Sequence, residues 1–177
     1  MDRRAGVRLT NGGAAPALTA LRPTLAVEHR AEVVIGARPS WLFTQLCDPC
    51  ALVACVPGAI LTRVVDAHHF EAQMSVGLGP LMMRYAGQGT LVSSRRTGRR
   101  ILLSVEGTDA MARGHARAQL IATVGECNGG AIIRARLNVR LTGGAARFSH
   151  GLVGLVTRRL MEQTADRMRT RFEGRRG

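Results

Sequence analysis

The 177-residue chain contains no lysine, one tryptophan, one tyrosine and four phenylalanines, so aromatics make up only 3% of it. Each shortage excludes something. Without lysine there is no Lys-Ser/Thr ending for a phosphate-cradling loop, and Gly77-Leu78-Gly79-Pro80 also lacks the third glycine and the following helix of a nucleotide loop. That segment reads as a hairpin turn that also rims a pocket mouth. Scarce aromatics argue against a nucleic-acid reader, which usually adds exposed rings or a recognition element to its charge. Residues 1 to 25 hold no apolar run long enough for a signal peptide or a membrane span. The most apolar window elsewhere, Leu152 to Val156, is short and ends at Arg158-Arg159. The expected location is cytoplasmic.

What is there is positive charge. Twenty-five arginines against 12 acidic residues give a net charge of +13, and Ala, Gly, Arg and Val dominate the rest, a bias that points to a GC-rich genome and to codon drift behind part of the charge. A pI near 11.6 favours anionic surfaces. Arg95, Arg96, Arg99 and Arg100 crowd a loop around Thr97-Gly98 and form the densest positive patch. We read them as the contact to lipid phosphates or to a partner protein. Arg3, Arg4, Arg8 and Arg22 lie in a stretch of scattered glycines and prolines, so residues 1–25 are expected to be a flexible basic tail, 26–173 one domain and 174–177 a disordered end.

Cys47-Asp48-Pro49-Cys50-Ala51-Leu52-Val53-Ala54-Cys55-Val56-Pro57-Gly58-Ala59 compresses a helix start, a short helix and a hard stop into thirteen residues. Asp48 can accept from the free N–H groups of a helix that begins at Pro49, and Pro57-Gly58 forces a turn. A second helix, Pro39 to about Gln45, precedes it. The cysteines at 47, 50 and 55 read as small apolar residues, because Pro49 divides the Cys-x-x-Cys pair and a structural metal needs four ligands. With Ala37-Arg38-Pro39-Ser40-Trp41-Leu42-Phe43, Val76-Gly77-Leu78-Gly79-Pro80 and Tyr85-Ala86-Gly87 in this order, the chain resembles the CoxG family, the carbon monoxide dehydrogenase accessory subunits of the START/Bet v 1-like (SRPBCC) helix-grip superfamily. The resemblance runs over roughly residues 27 to 172. It implies an α+β fold: a curved antiparallel sheet wrapped around a long C-terminal helix, with two short helices after the first strand.

Alternation in the strands says which residues face inward. Ile133, Ala135, Leu137, Val139 and Leu141 interleave with Arg134, Arg136, Asn138 and Arg140, the period of a half-buried strand. Ala116, Ala118, Leu120 and Ala122 form a second inward row; Met83, Tyr85, Gly87 and Gly89 a third; Ile101, Leu103 and Val105 a fourth; Phe70, Ala72, Met74 and Val76 a fifth. A closing helix runs from about Ser149, its N-cap, to Phe172, with Val153, Val156, Leu160, Met161, Ala165 and Met168 on one stripe. Many inward residues are small, so one helix cannot fill the concave side to ordinary density, and an apolar pocket is expected. Its candidate lining is His29, Met74, Val76, Met83, Tyr85, Gly87, Leu103, Ala118, Leu120, Val153, Val156 and Leu160. Leu at Gly87 or Ala118 is expected to fill the space while leaving the fold intact. The competing expectation is that the glycines mark bends and the alanines receive large helix residues.

Catalytic constellations are missing from the pattern: no nucleophile motif, no HExxH, no paired carboxylates. His29 and Tyr85 are the inward titratable side chains: His29 either packs or gives a proton to a ligand carbonyl, and Tyr85 either packs or gives a phenolic hydrogen bond to a ligand. No covalent cofactor is implied; a bound quinone or lipid is. The resemblance implies a non-enzymatic accessory protein that recruits a molybdenum hydroxylase of the aerobic carbon monoxide dehydrogenase type to the inner face of the cytoplasmic membrane or couples it there. Without a long C-terminal anchor in this sequence, association with an anionic membrane is expected to be peripheral. The alternative is a polyketide cyclase or aromatase-like enzyme that uses the same cavity. A nucleic-acid partner rests on charge alone.

Overall fold

The computed structural model describes residues 24–96, 98–109 and 114–173. β1 (Thr24–Ile35) opens the fold, followed by α1 (Pro39–Leu46) and α2 (Pro49–Val53). Then come β2 (Ala59–Val64), β3 (His69–Leu78), β4 (Leu81–Ser94), β5 (Arg100–Asp109), β6 (His115–Cys127) and β7 (Gly130–Thr142), a 3-10 turn over Gly143–Arg147, and α3 (His150–Phe172). Thr24 and Leu25, expected in the tail, belong to β1, and Leu25 is buried. The tail expected before them and the end expected at 174–177 lie outside the described residues.

The strands form one seven-stranded antiparallel sheet in the order β1-β7-β6-β5-β4-β3-β2. From β2 to β7 the chain meanders, and β1 pairs with the last strand of the meander. α1 and α2 therefore carry the chain from one margin of the sheet to the other, and their buried residues close one end of it. Local chemistry sets their bounds. The Asp48 carboxylate accepts from the N–H groups of Cys50 (3.0 Å) and Ala51 (3.3 Å), a cap worth about 1 kcal/mol. The stop at Pro57-Gly58 holds because Gly58 takes φ +77°, where a side chain would also fall on the Ser75 carbonyl.

α3 starts where expected, with Ser149 Oγ accepting from Leu152 N at 3.2 Å. It lies closest along β1 and touches β3 more lightly, and His150 Nε2 donates to the Ala26 carbonyl of β1 at 2.6 Å. A helix gripped by a wrapped antiparallel sheet is the architecture that the sequence resemblance implies.

The core has two parts. The larger joins Val33 and Ile35 of β1 to Leu42, Phe43, Leu46, Leu52 and Cys55 of the short helices, to strand residues such as Ile101 and Val124, and to Ala165 and Phe172 of α3. Trp41 meets Phe172 edge to face at 5.9 Å between ring centroids. The smaller gathers Leu25, Leu78, Leu141, Ala145 and Val153 at the opposite end.

Candidate ligand cavity

Between α3 and the concave face of the sheet lies a cavity of about 370 Å³. Strand alternation builds its wall, since each inward row contributes every second residue. Of the sequence-predicted lining, Met74, Val76, Tyr85, Gly87, Leu103, Ala118, Leu120, Val153, Val156 and Leu160 stand on that wall, with Ala72, Ala116, Ala122 and Ala135 among the small residues beside them. Leu46, Leu52, Val53 and Val56 also reach it from the α1–α2 end; they lie outside the alternating strands that sequence reasoning followed.

Two predicted lining residues sit elsewhere. His29 is on the inward face of β1 but not on the wall: its Nε2 lies 3.8 Å from where a Cβ on Gly154 would stand. β1 is the strand along which α3 lies, so the helix covers this ring where a more central strand would leave space. Met83 packs into the smaller core cluster around Leu78, Leu141 and Val153.

Gly87 is on the wall, yet the expectation that Leu would fit there fails. A Cβ on Gly87 would fall on the Glu106 carbonyl oxygen and within 2.7 Å of its carbon, because β4 and β5 approach closely at the Gly87–Gly107 pair. Gly89 is likewise not open space, since the ring of its cross-strand partner Phe70 lies over it. Neither glycine marks a bend, since the pairing of β4 runs unbroken through both; they are places of close approach, and the alanines 72, 116, 118 and 135 follow the cavity expectation.

Sequence reasoning missed Thr157 and Thr164, which line the cavity from α3. Their spacing of four from Val153 and Leu160 was the available signal. Both hydroxyls are spent within the helix, Thr157 Oγ1 donating to the Val153 carbonyl (2.8 Å) and Thr164 Oγ1 to that of Leu160 (2.7 Å).

The remaining inward hydroxyl is different. Tyr85 lines the cavity, and its phenolic oxygen is shielded from solvent with no hydrogen-bond partner among the described residues. Burial, and after it the Asp109 carboxylate, pushes its pKa up, so the phenol stays protonated at neutral pH. Asp109 is the cross-strand neighbour of Tyr85 and was not singled out from sequence.

A side cleft of about 290 Å³ adjoins the cavity between the Pro57-Gly58 turn, β3 and α3. Val76, Val156 and Leu160 line both, while Ser75, Gly77, Arg159 and Gln163 belong to the cleft. Gly77 thus lines the side cleft, whereas Gly79 and Pro80 line neither space.

The arginine loop is partly occupied by its own fold. Arg95 stacks over Phe43 at 5.4 Å from the ring centroid and donates to Thr44 Oγ1 at 3.1 Å, and Arg99 pairs with Glu126 at 3.7 Å. Arg96 and Arg100 are exposed, and Thr97 lies outside the described residues. The three clustered cysteines do not assemble a site: Cys50 is exposed, Cys47 half-buried, and Cys55 buried with its thiol on the Ala51 carbonyl at 3.3 Å. Among the described residues no three His, Cys, Asp or Glu side chains are placed to hold a metal.

The fold has solved counterparts. A conserved protein from Geobacillus kaustophilus matches at a TM-score of 0.69 with 15% identity, over 84% of this chain and 95% of that one. A protein from Rhizobium leguminosarum matches at 0.58 with 13% identity, over 85% and 96%. The Zhui aromatase/cyclase from a Streptomyces species matches at 0.52 with 12% identity, over 84% and 93%. At these identities the likeness shows the helix-grip fold and nothing finer. No curated protein sequence matches the chain. The profile of CoxG, a family of carbon monoxide dehydrogenase subunits, matches residues 32–173, from the later part of β1 to the residue after α3, and the chain accordingly belongs to the CoxG family, on the Bet v 1-like helix-grip fold.

Proposed function

We propose that this protein is a non-enzymatic carrier of an apolar small molecule, an isoprenoid quinone or a lipid, that serves a molybdenum hydroxylase of the carbon monoxide dehydrogenase type at the cytoplasmic membrane. The observation that carries this reading is the cavity itself: about 370 Å³ walled almost wholly by aliphatic side chains and alanines. Ligand sites of this kind are concave, mostly apolar and few in number. Membership of the CoxG family supports the partner.

Association with the membrane is peripheral in this reading. No helix among the described residues is long and apolar enough to cross a bilayer. Leu81 and Met82 stand exposed at the β3–β4 turn, and the exposed Arg96 and Arg100 supply charge. Each arginine near an anionic leaflet contributes about 1 kcal/mol, screened beyond roughly 8 Å at physiological salt.

Native mass spectrometry of freshly purified protein, followed by solvent extraction, tests the carrier. A co-purifying quinone or lipid is the expected result, together with recovery of the hydroxylase from lysate and loss of that enzyme's membrane fraction when the gene is deleted. Protein that is empty and takes up neither added quinone nor lipid overturns the reading. Cyclase turnover that disappears in Tyr85→Phe, with no hydroxylase recovered, establishes the enzymatic alternative in its place.

A further inference from the structure

One polar atom on the cavity wall has no partner within the fold. Tyr85 is the sole tyrosine, and its hydroxyl is the only buried side-chain oxygen or nitrogen without a hydrogen-bond partner among the described residues. Leaving such a group unpaired is destabilising, because it has lost its water without gaining a protein partner. The other hydroxyls on the wall, Thr157 and Thr164, already donate to helix carbonyls and have little left to offer an occupant.

We infer that Tyr85 is the polar anchor of the cavity, donating a hydrogen bond to an oxygen acceptor on an otherwise apolar ligand and so fixing which end of that ligand lies against β3, β4 and β5. This rests on the carrier reading and adds the ligand's head chemistry to it: a carbonyl-bearing head, with a hydrocarbon remainder along the alanine-lined wall. The register supports the placement. Tyr85 lies between Met74 of β3 and Asp109 of β5. Met74 is an unbranched side chain that can move aside for an occupant, and a carboxylate beside the phenol disfavours the phenolate, keeping the group a donor. A ligand with no acceptor gains nothing from this end of the cavity.

Removing the hydroxyl should then act with opposite signs on the empty and the filled protein, which a purely structural tyrosine would not do. In Tyr85→Phe the empty protein loses an unsatisfied group, and its melting temperature is expected to rise by about 2–4 °C. Binding of a short-chain naphthoquinone is expected to weaken roughly 5–10-fold, while binding of the matching prenylated naphthalene, which has no carbonyl, stays within about 2-fold. Infrared difference spectra of the carbon-13-labelled quinone give a second readout: a carbonyl band shifted down by hydrogen bonding in the wild-type protein, relaxing toward its apolar-solvent position in the variant.

Equal quinone affinity in the two proteins, an equal loss for quinone and hydrocarbon, or an unshifted carbonyl band overturns the anchor while leaving the cavity a carrier. A wild-type protein that binds neither probe overturns the anchor, and one that also takes up no lipid overturns the carrier reading with it.

Discussion

α3 passes through two different environments. Near its C-terminus, Phe172 lies edge to face on Trp41, and the surrounding cluster holds Phe43, Leu42 and Ile35 with almost no exposure. At its middle, Val156, Leu160, Met161 and Thr164 face Ala72, Ala116, Ala118 and Ala135 across open space. One helix and one sheet thus give a solid and a void. The strands have the same pleat and alternation at both ends, so what differs is the size of the residues meeting the helix, and the two short helices that add a third layer at one end only.

The largest effect should come from the packed end. Phe172→Ala removes a buried ring at a site that neighbouring aromatics hold open, which typically costs about 3–5 kcal/mol. For a domain of this size that is a fall in melting temperature on the order of 10 °C. Ligand affinity per folded molecule should stay unchanged, because Phe172 is not on the cavity wall. A loss under about 1 kcal/mol in chemical unfolding would mean that this end is not packed as described.

Within the cavity region, two small wall residues, on β4 and β6, should respond in opposite ways. Gly87→Ala places a methyl on the Glu106 carbonyl and should destabilise by roughly 1–3 kcal/mol through displaced backbone. Ala118→Leu projects into space that no side chain fills, so its stability should stay within about 1 kcal/mol of wild type while ligand binding falls. Unfolding curves and binding isotherms of both variants decide it. If the two substitutions cost the same stability, the distinction between a close-approach glycine and a cavity-wall alanine is wrong.

That distinction marks how far the sequence was legible. Much that is governed by a neighbour within four residues was readable: the cap at Asp48, the cap at Ser149, the turn at Gly58, and the inward phase of β1 and of β3 to β7, though Thr157 and Thr164 were missed. Residues that depend on a distant partner were not. Gly87 and Ala118 look alike as small inward residues, and only the approach of β5 to β4 separates them. His29 has the right phase but lies under α3 at Gly154, a contact that alternation cannot encode. Arg95 reads as part of a charge cluster, and only the docking of α1 against that loop shows it engaged with Phe43 and Thr44.

The smallest effect belongs to neither region and serves as a control on both. In the β2–β3 turn, Asp66 accepts from the N–H groups of His68 (2.7 Å) and His69 (2.8 Å) and lies 2.8 Å from His69 Nδ1, which lowers its pKa from 3.8 to about 2. A carboxylate depressed on folding adds stability that is fully present above its unfolded value and is lost as pH falls through the folded one. The deficit of Asp66→Asn relative to wild type should therefore be constant near neutrality, shrink below about pH 4 and vanish near pH 2. Because this side chain is exposed, solvent screening keeps the deficit small at every pH. Paired denaturation curves across that window measure it, and ligand affinity should not follow. A deficit that persists unchanged at pH 2 would show that Asp66 shapes the turn by geometry rather than by charge, and a parallel loss of ligand binding would show that the turn is coupled to the cavity after all.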